Sequence, residues 1–340
     1  MLYRTLGASG CAVSNLCLGT MTFGSESDEE VSFAQLDAFV EAGGTLVDTA
    51  DVYSGGVSEE IIGRWFADRP AEVTDRVVLA TKGRFGGGEP NALGLSNRHL
   101  TRALDASLRR LGLEHVDLYQ MHAFDAHTPL EETLRTLDRF VAQGKIGYYG
   151  FSNFTGWQLT KAVRLAHELG LVAPVSLQPQ YSLIVREIEW EIVPAAIDGG
   201  LGLLPWSPLG GGWLTGKYSR DQRPTGATRL GENPQRGMEA YDRRGTERTW
   251  RIVDAVQTVA EGRGVSMAEV ALAWVTDQPG VTSTILGART LEQLHDNLKA
   301  ADLHLDDAET AALDEASVPE AADYPYGEMG VQQRHRALNA

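Results

Sequence analysis

Eight short apolar runs of strand length, each separated from the next by a stretch of helical periodicity, run through this chain of 340 residues. They fall at about 15–19, 45–48, 77–81, 116–121, 146–151, 175–178, 202–206 and 282–286. Segments such as SDEEVSFAQLDAFVEAG, SNRHLTRALDASLRRLG and TPLEETLRTLDRFVAQG follow the first seven runs, and TLEQLHDNLKA follows the eighth. In the second of these, Leu100, Ala103, Leu104, Leu108 and Leu111 recur at three- and four-residue steps, which marks one buried helix face. Ser96 is placed to cap that helix and Gly112 to end it. Eight strand–helix repeats predict a (β/α)8 barrel of the TIM type. An open doubly wound sheet would carry G-x-G-x-x-G after its first strand; LGTMTFG stands there instead.

Three pieces lie outside the repeat. Residues 2–13 read as a hairpin turning at Ala8-Ser9-Gly10, expected to plug the barrel end opposite the strand C-termini. Residues 209–247 form a long insertion rich in Gly, Arg and Pro, expected to lack regular structure and to act as a cofactor lid, a subunit contact or a plain mobile loop. Residues 305–340 read as a helix, DDAETAALDEAS, and then an irregular tail. No internal linker interrupts the pattern, so residues 1–340 are expected to form one domain.

A net charge of −16 argues against nucleic acid and anionic membranes as partners. The arginines of the insertion are interspersed with Asp and Glu, which speaks against a nucleic-acid arm. Two cysteines, Cys11 and Cys17, offer neither a disulfide framework nor a metal-binding spacing. The N-terminus lacks a signal-like lead, no apolar stretch reaches membrane-spanning length, and a cytoplasmic location is expected.

Four polar residues stand at predicted strand ends. Asp48 closes TLVDTA, Lys82 closes VVLATK, His122 closes VDLYQMH, and Tyr53 lies just beyond Asp48. Strand C-termini of a parallel barrel share one face, so these side chains are expected to meet. A tyrosine with a pKa near ~10 is a weak acid at neutral pH, and a neighbouring ammonium would lower it. Asp48 would then hold Lys82 charged, and His122 would donate to a carbonyl oxygen. Taken singly, each has a structural explanation: a turn cap, a snorkelling lysine, a half-exposed tyrosine, a satisfied histidine.

The segments LGTMTFG, LVDTADVYSGGVSEEIIG, VVLATK, SLRRLGLEHVDLYQMHAFD, GKIGYYGFSN, WSPLGGGWLTGK and ILGARTLEQLHDNL together resemble the aldo-keto reductase superfamily over nearly the whole chain. The resemblance implies a barrel that binds NADPH across its strand C-termini and reduces a small-molecule aldehyde or ketone. It also implies an Asp-Tyr-Lys-His tetrad matching Asp48, Tyr53, Lys82 and His122, with Tyr53 as the acid. The cofactor contacts it implies begin with Gly19, Thr20 and Met21 after the first strand. Ser152, Asn153 and Gln178 would take the nicotinamide carboxamide. Trp206, Ser207, Pro208, Leu209, Gly210, Leu214 and Lys217 would fold over the pyrophosphate. Gly287, Arg289, Gln293 and Asn297 would reach the adenosine end, with Arg289 suited to a 2′-phosphate. Many members carry a Lys-Ser pair where this chain has Gly287-Ala288, which removes one cation and weakens the case for NADPH over NADH.

Met21, Phe23, Phe85, Phe124, Tyr324 and Tyr326 are expected to wall an apolar substrate cleft, several of them equally able simply to pack loops. The competing reading is an NADPH-binding regulatory or sensing subunit, as in barrels of this family that partner membrane channels. That role wants an added N-terminal segment, whereas this chain opens directly on the hairpin. A barrel hydrolase would need paired acids at strand ends or a His-x-His on the first strand. The sequence leaves substrate, stereochemistry, reaction direction and oligomeric state open.

Overall fold

The computed structural model describes residues 1–226, 228–235 and 237–334. Ala227, Arg236 and residues 335–340 of the tail therefore lie outside the described residues. An antiparallel hairpin, β1 (Tyr3–Thr5) with β2 (Ala12–Ser14), precedes eight parallel strands. These are β3 (Leu16–Gly19), β4 (Leu46–Asp48), β5 (Val78–Gly83), β6 (Val116–Met121), β7 (Ile146–Ser152), β8 (Ser176–Gln178), β9 (Gly202–Leu203) and β10 (Thr284–Leu286). They pair in sequence order, with β10 returning beside β3, and there is no reversal of the kind that defines a doubly wound sheet. Leu203 bridges Val281, just ahead of β10, and Thr282 N donates to Leu203 O at 2.9 Å. The sheet is curled, in keeping with an α/β barrel.

Helices cover the outer face because each connection carries an apolar stripe. In Asn97–Leu111, Leu100, Leu104, Leu108 and Leu111 are buried; Ser96 accepts from His99 N, and Gly112 ends the helix at φ 66°. Inside the sheet, period two sends Cys17, Leu46, Ala80, Leu118 and Ile285 inward, where Leu6 and Val13 of the hairpin region join them. Ala8 N donates to Gly200 O at 2.8 Å. Gly7, at φ 56°, lies so close to β8 that a Cβ there would sit 2.2 Å from Val175 O. The hairpin turn thus packs against the residues that lead into β8 and β9.

The insertion is more ordered than its composition suggests. It contains the 3-10 turns Gly210–Thr215 and Gly237–Glu239 and the short helices Arg229–Glu232 and Tyr241–Arg244. Trp213, buried, stacks on Tyr241 and meets Tyr218 and Trp250 edge-on. Glycines and prolines erase periodicity there, but four aromatic rings fix the loop by burial. The C-terminal helix spans Asp307–Ser317, with Asp306 and Glu309 forming its capping box.

Candidate active site

The pleat that sends small and branched residues into the lower interior sends polar ones into its top layer. Asp48 closes β4, Lys82 is the penultimate residue of β5, His122 follows β6 directly, and Tyr53 opens the 3-10 turn Tyr53–Gly56. The structure brings all four together. Lys82 Nζ, wholly buried, donates to Asp48 Oδ2 at 2.6 Å, to Thr49 O at 2.8 Å and to the Tyr53 hydroxyl oxygen at 3.0 Å. Those three bonds use every hydrogen of the ammonium. The edge of the His122 ring meets Tyr53 at a centroid separation of 5.9 Å.

Burial alone would drive Lys82 toward neutrality, but Asp48 and Tyr53 outweigh it, and the lysine stands above its ordinary value. For Tyr53 the expected lowering is not the net result. Burial raises the phenol more than Lys82 lowers it, and Asp48 adds to the rise. Tyr53 is therefore a protonated hydroxyl at neutral pH. His122 is pushed down to about 3 by burial, reinforced by Lys82 and Arg84. Its ring is neutral, and its Nδ1 is buried with no protein partner among the described residues. A buried unpaired acceptor costs less than a buried unpaired donor, so the single N–H belongs on Nε2.

Two residues of this layer went unnoticed in the sequence or were given another part. Gln120 Nε2 donates to Asp48 Oδ1 at 3.0 Å, and Gln178 Nε2 donates to the same oxygen at 2.9 Å. Gln178, expected at the carboxamide, spends its amide N–H on this carboxylate. The signal for Gln120 was its spacing: Leu118, Gln120 and His122 alternate onto one face of β6. Arg84, two residues past Lys82, was also missed; only its place beyond a strand end could have pointed to it.

The remaining candidates distribute along the same face. Ser152 Oγ donates to Gln178 O, while Asn153, at φ 57°, donates to His122 O and accepts from Trp206 Nε1. Thr20 is buried between Asp48 O and Ser58 rather than open, whereas Met21 is exposed. Ser207, Gly210, Gly211 and Gly212 all have positive φ, so their backbone forms a concave turn, and Lys217 lays its stem beside Gly212. Partial burial and the nearby Arg289 guanidinium push Lys217 below its ordinary value. Leu214 is fully buried in the core. Arg289 is tied to Glu26 and to Glu232, the latter at 2.8 Å. Gln293 Oε1 accepts from Arg289 N, and Asn297 is buried against Gly287 O at 3.4 Å.

The cleft aromatics divide. Phe85 is exposed, with its ring 4.9 Å from that of His122, and half-buried Phe124 packs edge-on against Phe154 and Trp157. Phe23 is not a free wall: it is wholly buried in the main core cluster, because its loop turns inward under the helix that follows β4. Tyr326 stacks on Trp190 at 5.1 Å, and Tyr324 is exposed. Among the described residues no group of His, Cys, Asp and Glu is placed to hold a metal ion, and no helix is long and apolar enough to cross a membrane.

The Aldo/keto reductase family model matches residues 15–318, and this chain belongs to that family of oxidoreductases. The family uses a nicotinamide cofactor and acts on small molecules. Among its relatives, the uncharacterized oxidoreductase YrpG of Bacillus subtilis is 38% identical over 315 residues, covering 90% of this chain and 93% of the relative. A probable voltage-gated potassium channel subunit beta of Oryza sativa subsp. japonica is 39% identical over 305 residues, covering 89% and 92%. Versiconal hemiacetal acetate reductase of Aspergillus parasiticus is 35% identical over 347 residues, covering 94% and 98%.

Proposed function

We propose that this chain reduces an aldehyde or ketone to the alcohol, with NADPH as the hydride source and Tyr53 as the proton source. The observation that carries the reading is the single buried ammonium of Lys82, bonded at once to Asp48 and to the Tyr53 hydroxyl. A bound dihydronicotinamide would supply the hydride for the carbonyl carbon, becoming the oxidised cofactor. Tyr53 gives its hydroxyl proton to the carbonyl oxygen as negative charge builds there. Lys82 stabilises the phenolate left behind, and Asp48 fixes Lys82 in place. His122, neutral, directs Nε2–H toward the same oxygen. Ser152 and Asn153 would orient the carboxamide.

The residues present fit an anionic dinucleotide. The concave turn of Ser207 and Gly210–212 would offer its backbone to an anion, and Lys217, lowered by burial and then by Arg289, puts two cations near each other there. The N-terminus of Leu291–Leu298 adds a further favourable field for phosphate. The support for NADPH is the Arg289 guanidinium itself; a 2′-phosphate would have to displace Glu26 or Glu232, which satisfy that guanidinium without it. We read residues 1–340 as one domain with the hairpin as its floor, and a cytoplasmic enzyme as the setting that suits two free thiols.

The test is NADPH oxidation with a panel of aromatic aldehydes, pyridoxal and keto-sugars, by wild type and Tyr53→Phe. The variant is expected to lose turnover at least a thousand-fold, about 4 kcal/mol of barrier, while still binding NADPH. Full turnover by Tyr53→Phe would remove Tyr53 as the acid. A second reading, a cofactor-sensing subunit, is supported by the rice relative's name. It predicts tight NADPH binding with no carbonyl reduced by wild type.

A further inference from the structure

We propose that Arg84 is an anion-recognition residue of the substrate cleft, so that the preferred substrates are aromatic carbonyl compounds bearing a carboxylate or similar anionic group about one ring away from the carbonyl. This rests on the carbonyl-reductase reading above and adds to it the class of substrate.

The geometry is a row of side chains leading out of the catalytic layer. His122 meets Tyr53 at 5.9 Å and Phe85 at 4.9 Å between ring centres. Arg84 Cζ then lies 4.6 Å from the centre of the Phe85 ring. A carbonyl held by Tyr53 and His122 would lay the rest of a flat substrate along Phe85, a residue 38% exposed, with its far end at Arg84. Aromatic contact with Phe85 favours a ring in the middle.

Arg84 is also under-used by the protein itself. Its Nε and Nη2 both donate to the carbonyl oxygen of Phe124, at 3.3 and 3.2 Å. No protein acceptor takes the Nη1 hydrogens and no carboxylate pairs with the guanidinium among the described residues. Asp125 is the acidic group whose charge it feels, but that carboxylate is already bonded to Leu95 N, His127 N and the Thr128 hydroxyl. By contrast Arg64, Arg69, Arg110, Arg186 and Arg263 each hold a carboxylate. Half-buried Arg139 and Arg248 likewise bond only to neutral acceptors, so what sets Arg84 apart is its place beside Phe85 and next to the catalytic layer. Its backbone sits at φ 151°, a conformation side-chain-bearing residues rarely adopt, and Gly94 N bonded to Arg84 O holds it there. The two hydrogen bonds to Phe124 account for its orientation but not for the missing counter-charge. A planar fork of donors at the end of an aromatic row fits a carboxylate.

The experiment compares 4-carboxybenzaldehyde with methyl 4-formylbenzoate, which differ in one negative charge. Wild type is expected to favour the acid over the ester at least ten-fold in kcat/KM, with KM for the acid alone rising as salt is added. In Arg84→Met the acid-to-ester ratio falls at least ten-fold, and Arg84→Lys restores part of it. The ratio cancels any general loss of activity in the variants. Equal use of acid and ester by wild type, or a ratio unchanged in Arg84→Met, overturns the assignment. If neither aldehyde is reduced, the carbonyl-reductase reading is what suffers for these probes. Calorimetry of terephthalate with NADPH-loaded wild type and Arg84→Met then decides the Arg84 assignment: at least ten-fold weaker binding in the variant supports it, and equal or absent binding overturns it.

Discussion

The two ends of the curled sheet are built on one pleat and solve burial in opposite ways. At the lower end, Leu6 and Val13 of the hairpin region join Cys17, Leu46, Ala80, Leu118, Val175, Leu204 and Ile285 in one apolar cluster. At the upper end the next inward positions on β4, β5, β6 and β8 are Asp48, Lys82, Gln120 and Gln178, all buried and mutually bonded. The lower end holds by excluding water, and any residue of the right size serves it. The upper end holds only while every partner is present, because a buried charge that loses its counter-charge is far more costly than a lost methyl group.

That contrast can be broken most forcefully at Asp48. Asp48→Ala strands the Lys82 ammonium and two amides, and chemical denaturation is expected to show a loss of about 3–5 kcal/mol. Adding Lys82→Met should return much of it, since removing both charges leaves nothing unpaired. A loss below about 1 kcal/mol for Asp48→Ala would mean that water replaces the carboxylate. At the floor, Leu6→Ala should lower stability by about 3 kcal/mol while the pH profile of turnover keeps its shape. A shifted profile would show that the two ends are coupled.

The smallest effect lies just outside the polar layer. Asp51 Oδ1 is buried without a partner, and burial, with Glu59 beside it, raises this carboxyl to about 7. The folded chain thus holds a proton that the unfolded chain releases near about pH 4, so stability from this group falls as pH rises from about 4 to 7 and is level above that. Asp51→Asn should therefore gain on the order of 2 kcal/mol over wild type at about pH 8 and nothing at about pH 4. An equal gain at both values would point to packing rather than protonation.

Much of this was legible in the sequence because it depends on period and order. The eight runs became eight strands, with β5 and β7 reaching slightly past their runs and β9 falling short of its own. Ser96 and Gly112 bound their helix as cap chemistry dictates. Asp48, Tyr53, Lys82 and His122 meet because strand ends share a face. What remained hidden depends on three-dimensional accounting. The net upward shift of Tyr53 follows from how deeply it sits, which no spacing reveals. Phe23 looked like a cleft wall because it follows a strand, yet its loop folds it into the core. The order in the insertion comes from Trp213, Tyr218, Tyr241 and Trp250 meeting across the 36 positions that lie between 213 and 250.

The saturation of Lys82 bears on its reactivity as an amine. With three acceptors around Nζ and charge held firmly by Asp48 and Tyr53, the nitrogen has no lone pair to offer an electrophile and no hydrogen left for a ligand. A residue type that elsewhere forms imines with carbonyl compounds is here rendered inert toward them. An aldehyde can therefore rest beside a primary amine without being trapped by it.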